Sequence, residues 1–208
     1  MNILAIGAHF DDIEIGCGGT IARAKALGHS VFGYVASASG YNSLDNSIQR
    51  SNEIALEEGK KSASFLGYEL IYDEFETTKL KNCDDLVQII EKIVIGKKID
   101  LILTHCINDV TEDHRAIASA TAIATRKGFN VLMYKSNFYR LNKPFNATVF
   151  IDISEFIDKK KQAILIHQSE VEKFGQGWCD AILSQNRIYG QKSNCMFAEG
   201  FEPIKLIY

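Results

Sequence analysis

One stretch near the start of the chain limits its possible folds more than any other. Residues 2–8 form a short apolar run of the kind that a sheet buries on both faces, and His9, Asp11 and Asp12 follow it. Residues 20–27 then have the pattern of a helix. An imidazole and two carboxylates therefore lie where a first strand turns into a helix, and open α/β sheets bind their ligands at that edge.

The same alternation of strand and helix repeats along the chain. The predicted strands are residues 2–8, 31–37, 68–72 and 99–104, and the predicted helices are residues 20–27, 47–66, 86–94 and 116–125. Because right-handed helical crossovers between parallel strands are the usual result of such alternation, we expect an α/β fold with a Rossmann-like, doubly wound, mostly parallel sheet. Toward the C-terminus the apolar segments lie closer together, which predicts additional edge strands at residues 131–134, 139–141 and 147–153.

Length and composition indicate one domain and exclude several kinds of partner. The chain has 208 residues, of which 46% are hydrophobic and 24% charged, and its formal net charge is -3. No basic excess indicates nucleic acid, and neither a membrane span nor a secretory signal is recognisable, so we expect a cytoplasmic protein that does not bind nucleic acid. The five cysteines are scattered without any Cys-x-x-Cys pair, which predicts free thiols. An active site at an exposed sheet edge is compatible with a monomer or a homo-oligomer.

Two loops on the same predicted sheet edge carry side chains suited to metal chemistry. His9 and Asp12 offer two ligands, and His114, at a helix start after the fourth strand, is the candidate for a third. Imidazole and carboxylate suit zinc (Zn²⁺), and a hydrolytic zinc site keeps its fourth position open for water. Asp11 is then predicted to be the general base, and Asp113 to hold the His114 ring in its ligating tautomer.

Simpler explanations of the same residues stay open at this point. Adjacent aspartates at a strand end often form a turn or cap a helix, and His114 could be a surface or capping histidine. The glycines of residues 16–19 do not follow the first strand at the Gly-x-Gly-x-x-Gly spacing of a dinucleotide site, and close packing explains them better. Receiver domains that bind magnesium also have two aspartates at a strand end, but they are much shorter than this chain.

Two motifs of the chain resemble those of known proteins. Residues 8–20 are similar to an Ala-His-Pro-Asp-Asp-Glu signature, and residues 104–116 are similar to the second motif of the same family, the PIG-L/LmbE-like zinc-dependent N-deacetylases. Further matches follow in the family's order and extend the resemblance over nearly the whole chain: Arg50-x-x-Glu53, Leu66-Gly67, residues 150–153, Lys161, His167-x-Ser169 and residues 198–201.

The resemblance implies a fold, a metal site and a reaction. It implies one deacetylase domain over residues 1–208, zinc on His9, Asp12 and His114, and Asp11 as the base that accepts a proton from the attacking water. The implied reaction is hydrolysis of an N-acetyl or other small N-acyl group on an amino sugar or its nucleotide-, lipid- or glycoside-linked derivative.

The chain departs from the family signature in ways that bear on activity. Phe10 and Ile13 stand where the family usually has Pro and Glu, so an acidic contact is missing unless Glu14 replaces it. Thr111 stands where the family commonly has a histidine that steadies the developing oxyanion, a contribution worth about 10²–10³ in rate. His105 is the predicted substitute and a candidate to return the proton to the amine, although a structural role suits it equally well.

Two further alternatives follow from the sequence. Arg50 could bind a hydroxyl or phosphate of the substrate, or it could pair with Glu53 on one face of the predicted helix at residues 47–66. The departures at the signature also permit a second function, in which the protein is a weakened or inactive relative that binds a sugar conjugate. From residue 175 onward the pattern predicts no definite element.

Overall fold

A computed structural model describes residues 1–42, 47–139, 141–175 and 177–207. The strands are β1 (Asn2–Gly7), β2 (Ser30–Ser37), β3 (Tyr41–Asn42), β4 (Ile48–Arg50), β5 (Glu69–Phe75), β6 (Leu101–His105), β7 (Asn130–Tyr134), β8 (Val149–Asp152) and β9 (Ala198–Lys205). The α-helices are α1 (Asp12–Ala26), α2 (Asn52–Leu66), α3 (Asp84–Gly96), α4 (Glu112–Ala124), α5 (Ile157–Leu165), α6 (Gln168–Phe174) and α7 (Gly177–Ser193), and a 3-10 turn, Ser154–Phe156, precedes α5.

A seven-stranded sheet in the order β5-β2-β1-β6-β7-β9-β8 forms the centre of the molecule. The first five strands of this order pair in parallel, and β9 pairs antiparallel with both β7 and β8. The predicted α/β fold with a mostly parallel sheet is therefore confirmed. As predicted, segments toward the C-terminus of the chain add strands at one edge of this sheet. β1 lies inside the sheet, so the residues that follow it are enclosed by loops from both sides.

The helices cover both faces of the sheet, and β1 contributes to both resulting cores. Ile3 and Ala5 pack into the core beneath α1, α2 and α5, whereas Leu4 and Ile6 pack into the core beneath α3 and α4. Successive side chains of a strand point to opposite faces, which explains this division. It also explains why the apolar run is continuous, since a strand buried on both faces has no polar side.

The first helix begins earlier than the sequence pattern suggests. α1 starts at Asp12 and includes the glycine-rich segment, but its backbone leaves the helical conformation at Cys17, where φ is -147° and ψ is 19°. The glycines on either side allow close packing, as predicted, because a Cβ atom at Gly16 would clash with Tyr134 and one at Gly19 would clash with Ile153. α1 is therefore two helical segments joined at Cys17.

Two other predicted elements differ from the structure. Arg50 lies in β4 rather than in the helix predicted over residues 47–66, because Ser51 caps α2 by accepting a hydrogen bond from the Ile54 backbone N–H. Tyr139 and Leu141 are not part of the strand predicted over residues 139–141, and Arg140, between them, lies outside the described residues. Among the described helices, none is long and apolar enough to cross a membrane.

Candidate metal centre and active site

His9, Asp12 and His114 meet at the carboxyl edge of β1 and β6. His9 Nδ1 lies 3.3 Å from His114 Nε2, and the closer Asp12 carboxylate oxygens lie 3.5 Å and 3.3 Å from these two nitrogens. A tetrahedral zinc ion with bonds of about 2.0–2.2 Å separates its ligand atoms by about 3.3–3.6 Å. The three side chains therefore have the spacing and the donor chemistry to hold one zinc ion.

Carboxylates contact the outer nitrogens of both histidine rings. His9 Nε2 lies 2.9 Å from an oxygen of Asp113, and His114 Nδ1 lies 3.2 Å from an oxygen of Asp109. The Thr78 backbone N–H donates to Asp113 at 2.7 Å, which fixes that carboxylate in turn. Metal-bound histidines commonly donate their second N–H to a carboxylate, which sets the tautomer and the ring orientation. These contacts leave His9 Nδ1 and His114 Nε2 as the metal-facing atoms.

This arrangement corrects the role predicted for Asp113. The sequence pattern assigned it to His114, but Asp113 contacts His9 and Asp109 contacts His114. Adjacent residues on a helix point about 100° apart, so Asp113 and His114 in the first turn of α4 cannot face each other. Asp109, in the loop before α4, reaches back to the ring.

Asp12 is held in place by several donors. One of its oxygens accepts hydrogen bonds from the backbone N–H groups of Ala8 and His9, and the other accepts from the Ser136 hydroxyl at 2.9 Å. Burial opposes its ionisation, but the neighbouring His114 cation and the hydrogen bonds hold the pKa of Asp12 well below its usual range. Burial likewise lowers the pKa values of His9 and His114, but the carboxylates outweigh it and raise them to about 9 and about 10.

Asp11 differs from Asp12 in its backbone and in its surroundings. It is a non-glycine residue with a φ of 136°, and its side chain makes no capping hydrogen bond to α1 but lines the cavity beside the metal ligands. Such a conformation is costly for an L-residue and persists where the surrounding structure enforces it. Burial and the charge of Asp12 raise the pKa of Asp11 to about 7. A bound divalent cation would lower that pKa again by Coulomb attraction.

His105 lies behind the metal site rather than in the cavity. Its side chain is fully buried and stacks on the His114 ring with the centroids 4.0 Å apart, and its Nε2 accepts a hydrogen bond from the Ala8 backbone N–H. Burial and the charge of His114 lower the pKa of His105 to about 4. His105 is not among the residues that line the cavity, and its role as proton donor stays a prediction. Its contacts support His114 and the loop after β1.

Arg50 does reach the cavity, but the structure contradicts its predicted pairing with Glu53. Its guanidinium lies 2.8 Å from Glu170 and 3.5 Å from Glu58, and it donates to the Phe10 carbonyl at 3.1 Å. The side chain is 2% exposed, and its Nε atom has no hydrogen-bond partner among the described residues. One buried donor of Arg50 is therefore unsatisfied among the described residues.

The other residues that concern the departures from the family signature lie in different parts of the structure. Thr111 lines the cavity next to His114, whereas Ile13 is buried in the core. Glu14 accepts hydrogen bonds from Ser62 and Tyr68 and is not among the residues that line the cavity, so it does not supply the missing acid there. Thr111 is therefore the departure that a bound substrate would meet.

The ligands, Asp11 and Arg50 all face one cavity of about 530 Å³. This volume lies within the range of about 300–1,000 Å³ that is typical of sites for small molecules. Fold and site together define a class of α/β protein with a candidate single-metal centre at the carboxyl edge of a parallel sheet.

Comparison with known proteins identifies the family within that class. The family described as PIG-L: GlcNAc-PI de-N-acetylase matches residues 4–125, more than half of the chain, and the protein belongs to this family. The chain is 29% identical to the uncharacterized deacetylase YaiS of Escherichia coli (strain K12), over 80% of this chain and 90% of YaiS. It is 25% identical to the diacetylchitobiose deacetylase of Thermococcus kodakarensis, over 99% of this chain and 84% of that protein.

A solved structure shows the same fold. The conserved protein TT1542 from Thermus thermophilus superposes with a TM-score of 0.84 at 23% identity, over 99% of this chain and 96% of that chain. The matched family region contains β1, α1 and α4 and so includes all three candidate metal ligands.

Sequence reasoning missed three contributors to the site. Asp109 and Ser136 orient the metal ligands, and Glu170 pairs with Arg50. For Asp109, its place within the second motif was a usable signal, because a loop aspartate that precedes a ligating histidine by five residues can reach back to it. Ser136 and Glu170 lie in segments where the sequence pattern gave no such signal.

Proposed function

We propose that this protein is a zinc-dependent hydrolase that removes an N-acetyl or other small N-acyl group from an amino sugar or its nucleotide-, lipid- or glycoside-linked derivative. One observation carries the proposal: His9, Asp12 and His114 place their donor atoms at tetrahedral zinc spacing beside Asp11, at the end of an open cavity. Membership of a de-N-acetylase family supports it, as does the similarity to a diacetylchitobiose deacetylase. The proposal includes a single deacetylase domain and a cytoplasmic location, which both stay predictions.

The proposed mechanism assigns each side chain a task. Zinc, when bound, polarises a carbonyl oxygen and makes water a stronger acid. Asp11 accepts a proton from the water that attacks the amide carbon, and it returns that proton to the nitrogen as the carbon–nitrogen bond breaks. The products are a free amine and a carboxylate. Asp113 and Asp109 keep the two histidine rings in their ligating tautomers.

Arg50 is the proposed sugar contact. Its Nε–H is a buried donor without a partner among the described residues, and burying such a group costs about 1–3 kcal/mol. A sugar hydroxyl that accepts this hydrogen bond would recover much of that cost. Glu170 and Glu58 pair with the rest of the guanidinium, and a shift of the Arg50 side chain toward the cavity would bring Nε within reach of the sugar.

The second candidate function is binding of a sugar conjugate without efficient hydrolysis. Thr111 favours it, because a threonine hydroxyl at this place in the cavity replaces the histidine that the family commonly has there. The loss of one oxyanion donor lowers the rate by about 10²–10³ without abolishing hydrolysis.

Amine release separates the two functions. The zinc-loaded protein is incubated with a panel of N-acetyl amino sugars and their glycosides, and free amine is measured against the Asp11→Asn variant. Release by the parent protein that is strongly reduced in the variant supports the hydrolase. A rise in melting temperature with these sugars, without amine release, would support the binding protein instead.

A further inference from the structure

Part of the cavity lining differs in chemistry from the metal ligands. It consists of five aromatic side chains, and we call them the aromatic rim: Tyr41, Phe138, Tyr139, Phe174 and Trp178. Phe138, Tyr139 and Phe174 are 49%, 57% and 44% exposed. Large apolar side chains that are exposed together around one opening are typical of ligand-binding grooves. The rim therefore offers a second binding region within the same cavity.

Part of the rim is an ordered stack rather than a scatter of rings. Phe174 and Trp178 stack with their centroids 5.5 Å apart and their planes 25° apart. The Lys173 ammonium lies 3.8 Å from the Tyr41 ring centroid and 4.6 Å from that of Phe174. Because α6 ends at Phe174 and α7 begins at Gly177, the stack joins the two helices.

Two polar side chains near the rim have partners within the chain. The Asn137 amide donates to both carboxylate oxygens of Asp109, at 2.9 Å and 2.7 Å. Lys173 lies 3.5 Å from Glu170 in addition to its contacts with the rings. Trp178 and Lys173 already contact part of the Phe174 ring, and the exposed parts of the Phe138, Tyr139 and Phe174 rings are left to contact a ligand.

The rim also lies on the side of the cavity where the sugar is proposed to bind. Glu170, on α6, pairs with Arg50, and Lys173 and Phe174 follow it on the same helix. A substrate that places its sugar against Arg50 can extend its aglycone toward the rim.

We propose that the rim binds a flat, apolar aglycone, so that the substrate is an N-acyl amino sugar glycoside with an aryl-like group. This inference rests on the proposed deacetylase function. Stacking on aromatic side chains has preferred geometry and contributes beyond the buried area. Phe174 and Trp178 would then determine specificity, without any part in the hydrolysis itself.

The test compares three substrates on the zinc-loaded protein: N-acetylglucosamine, its methyl glycoside and its phenyl glycoside. We expect kcat/KM for the phenyl glycoside to exceed that for the methyl glycoside about tenfold, mainly through a lower KM. The Phe174→Ala variant should bring the ratio of the two values close to one. Phe65→Ala is the matched control, because Phe65 is 37% exposed on α2 and does not line the cavity. That control should keep the parent ratio.

The outcomes separate this inference from the proposed function. Equal kcat/KM values for the phenyl and methyl glycosides in the parent protein would overturn the aryl specificity and leave the deacetylase intact. A preference for N-hexanoyl over N-acetyl substrates that Phe174→Ala abolishes would assign the rim to the acyl chain and also overturn it. If no substrate is hydrolysed, the proposed function fails. The affinities of the phenyl and methyl glycosides are then compared by calorimetry, and equal affinities would overturn the aryl specificity.

Discussion

The candidate metal site depends on carboxylates that never touch the metal position. Asp113 and Asp109 each contact the outer nitrogen of one histidine, and each is itself held, by the Thr78 backbone N–H and by the Asn137 amide. Contacts of this kind reduce the number of ring orientations that the ligands adopt. We therefore expect the affinity for a metal to depend on the three ligands and on the carboxylates behind them.

Removing a ligand should remove the metal. Replacing His114 by alanine leaves two donors, so we expect the purified variant to contain far less zinc than the parent by elemental analysis. His29→Ala is the matched control, since the His29 ring hydrogen-bonds only to the Met1 amino group among the described residues and does not line the cavity. Zinc content equal to that of the parent in His114→Ala would rule out His114 as a ligand.

Replacing the supporting carboxylates should weaken metal binding without abolishing it. In Asp109→Asn and Asp113→Asn the amide no longer offers a negative charge to the ring N–H, and we expect zinc affinity to fall about 10–100-fold. Competition with a chromogenic chelator measures the change. Asp85→Asn, on the exposed side of α3, serves as the control. If Asp109→Asn leaves the affinity unchanged, its contact with His114 has no role in metal binding.

At the scale of elements, the break in α1 at Cys17 creates two helix ends inside the protein, and their backbone groups need hydrogen-bond partners. Lys160, fully buried on α5, donates to the Ile15 carbonyl at 2.7 Å and contacts Glu199 at 2.5 Å. Glu199 accepts the Gly19 and Thr20 backbone N–H groups at 2.9 Å and 2.7 Å. The cation thus satisfies the end of the first helical segment, and the anion satisfies the start of the second.

Breaking this buried pair should be costly. In Lys160→Met the Glu199 carboxylate stays buried without its cation, and we expect the free energy of unfolding to fall by about 3–5 kcal/mol. Urea denaturation measures the loss. The double variant Lys160→Met, Glu199→Gln should recover part of it, because no uncompensated charge remains. A single variant as stable as the parent would contradict the role assigned to the pair.

A second buried pair joins α1 to the residue that precedes α6 and should make stability depend on pH. Glu14 lies 3.4 Å from His167. Burial opposes the ionisation of Glu14, but this contact and the hydrogen bonds to Glu14 lower its pKa below 4.5. Burial lowers the pKa of His167, but Glu14 outweighs it and raises that pKa above 6.5. Glu14 therefore stabilises the fold above pH 4.5 and loses this effect as pH falls through its folded pKa. His167 stabilises below pH 6.5 and loses this effect as pH rises through its folded pKa.

The two effects overlap between about pH 4.5 and 6.5, so the pair stabilises the fold most strongly in this range. Urea denaturation across this range, for the parent and for His167→Gln, measures it. The difference in free energy of unfolding between the two proteins should shrink toward high pH. A difference that stays constant from pH 5 to pH 10 would contradict the ion pair.

At the scale of the whole molecule, the sequence allowed prediction of the fold and of the residues that the order of the parallel strands brings together. It did not allow prediction of contacts between segments that are far apart in the chain. His9, Asp12 and His114 were predictable together because both loops follow parallel strands and therefore lie on one sheet edge. The partners of Arg50 were not, since Glu170 lies 120 residues away and the helix pattern around Arg50 suggested Glu53. Trp178 lies in the part of the chain where the pattern predicted no element. Local patterns contain no information about such pairings.

The most direct test of the account measures zinc content and amine release on the same preparations of the parent protein and Asp11→Asn. Asp11 is proposed to move protons and not to hold the metal, so the variant should contain as much zinc as the parent but release amine about 10²–10⁴-fold more slowly from N-acetyl amino sugar glycosides. Removal of zinc by a chelator should abolish release by the parent, and added zinc should restore it. Amine release by the zinc-loaded Asp11→Asn variant at the parent rate would contradict the central claim.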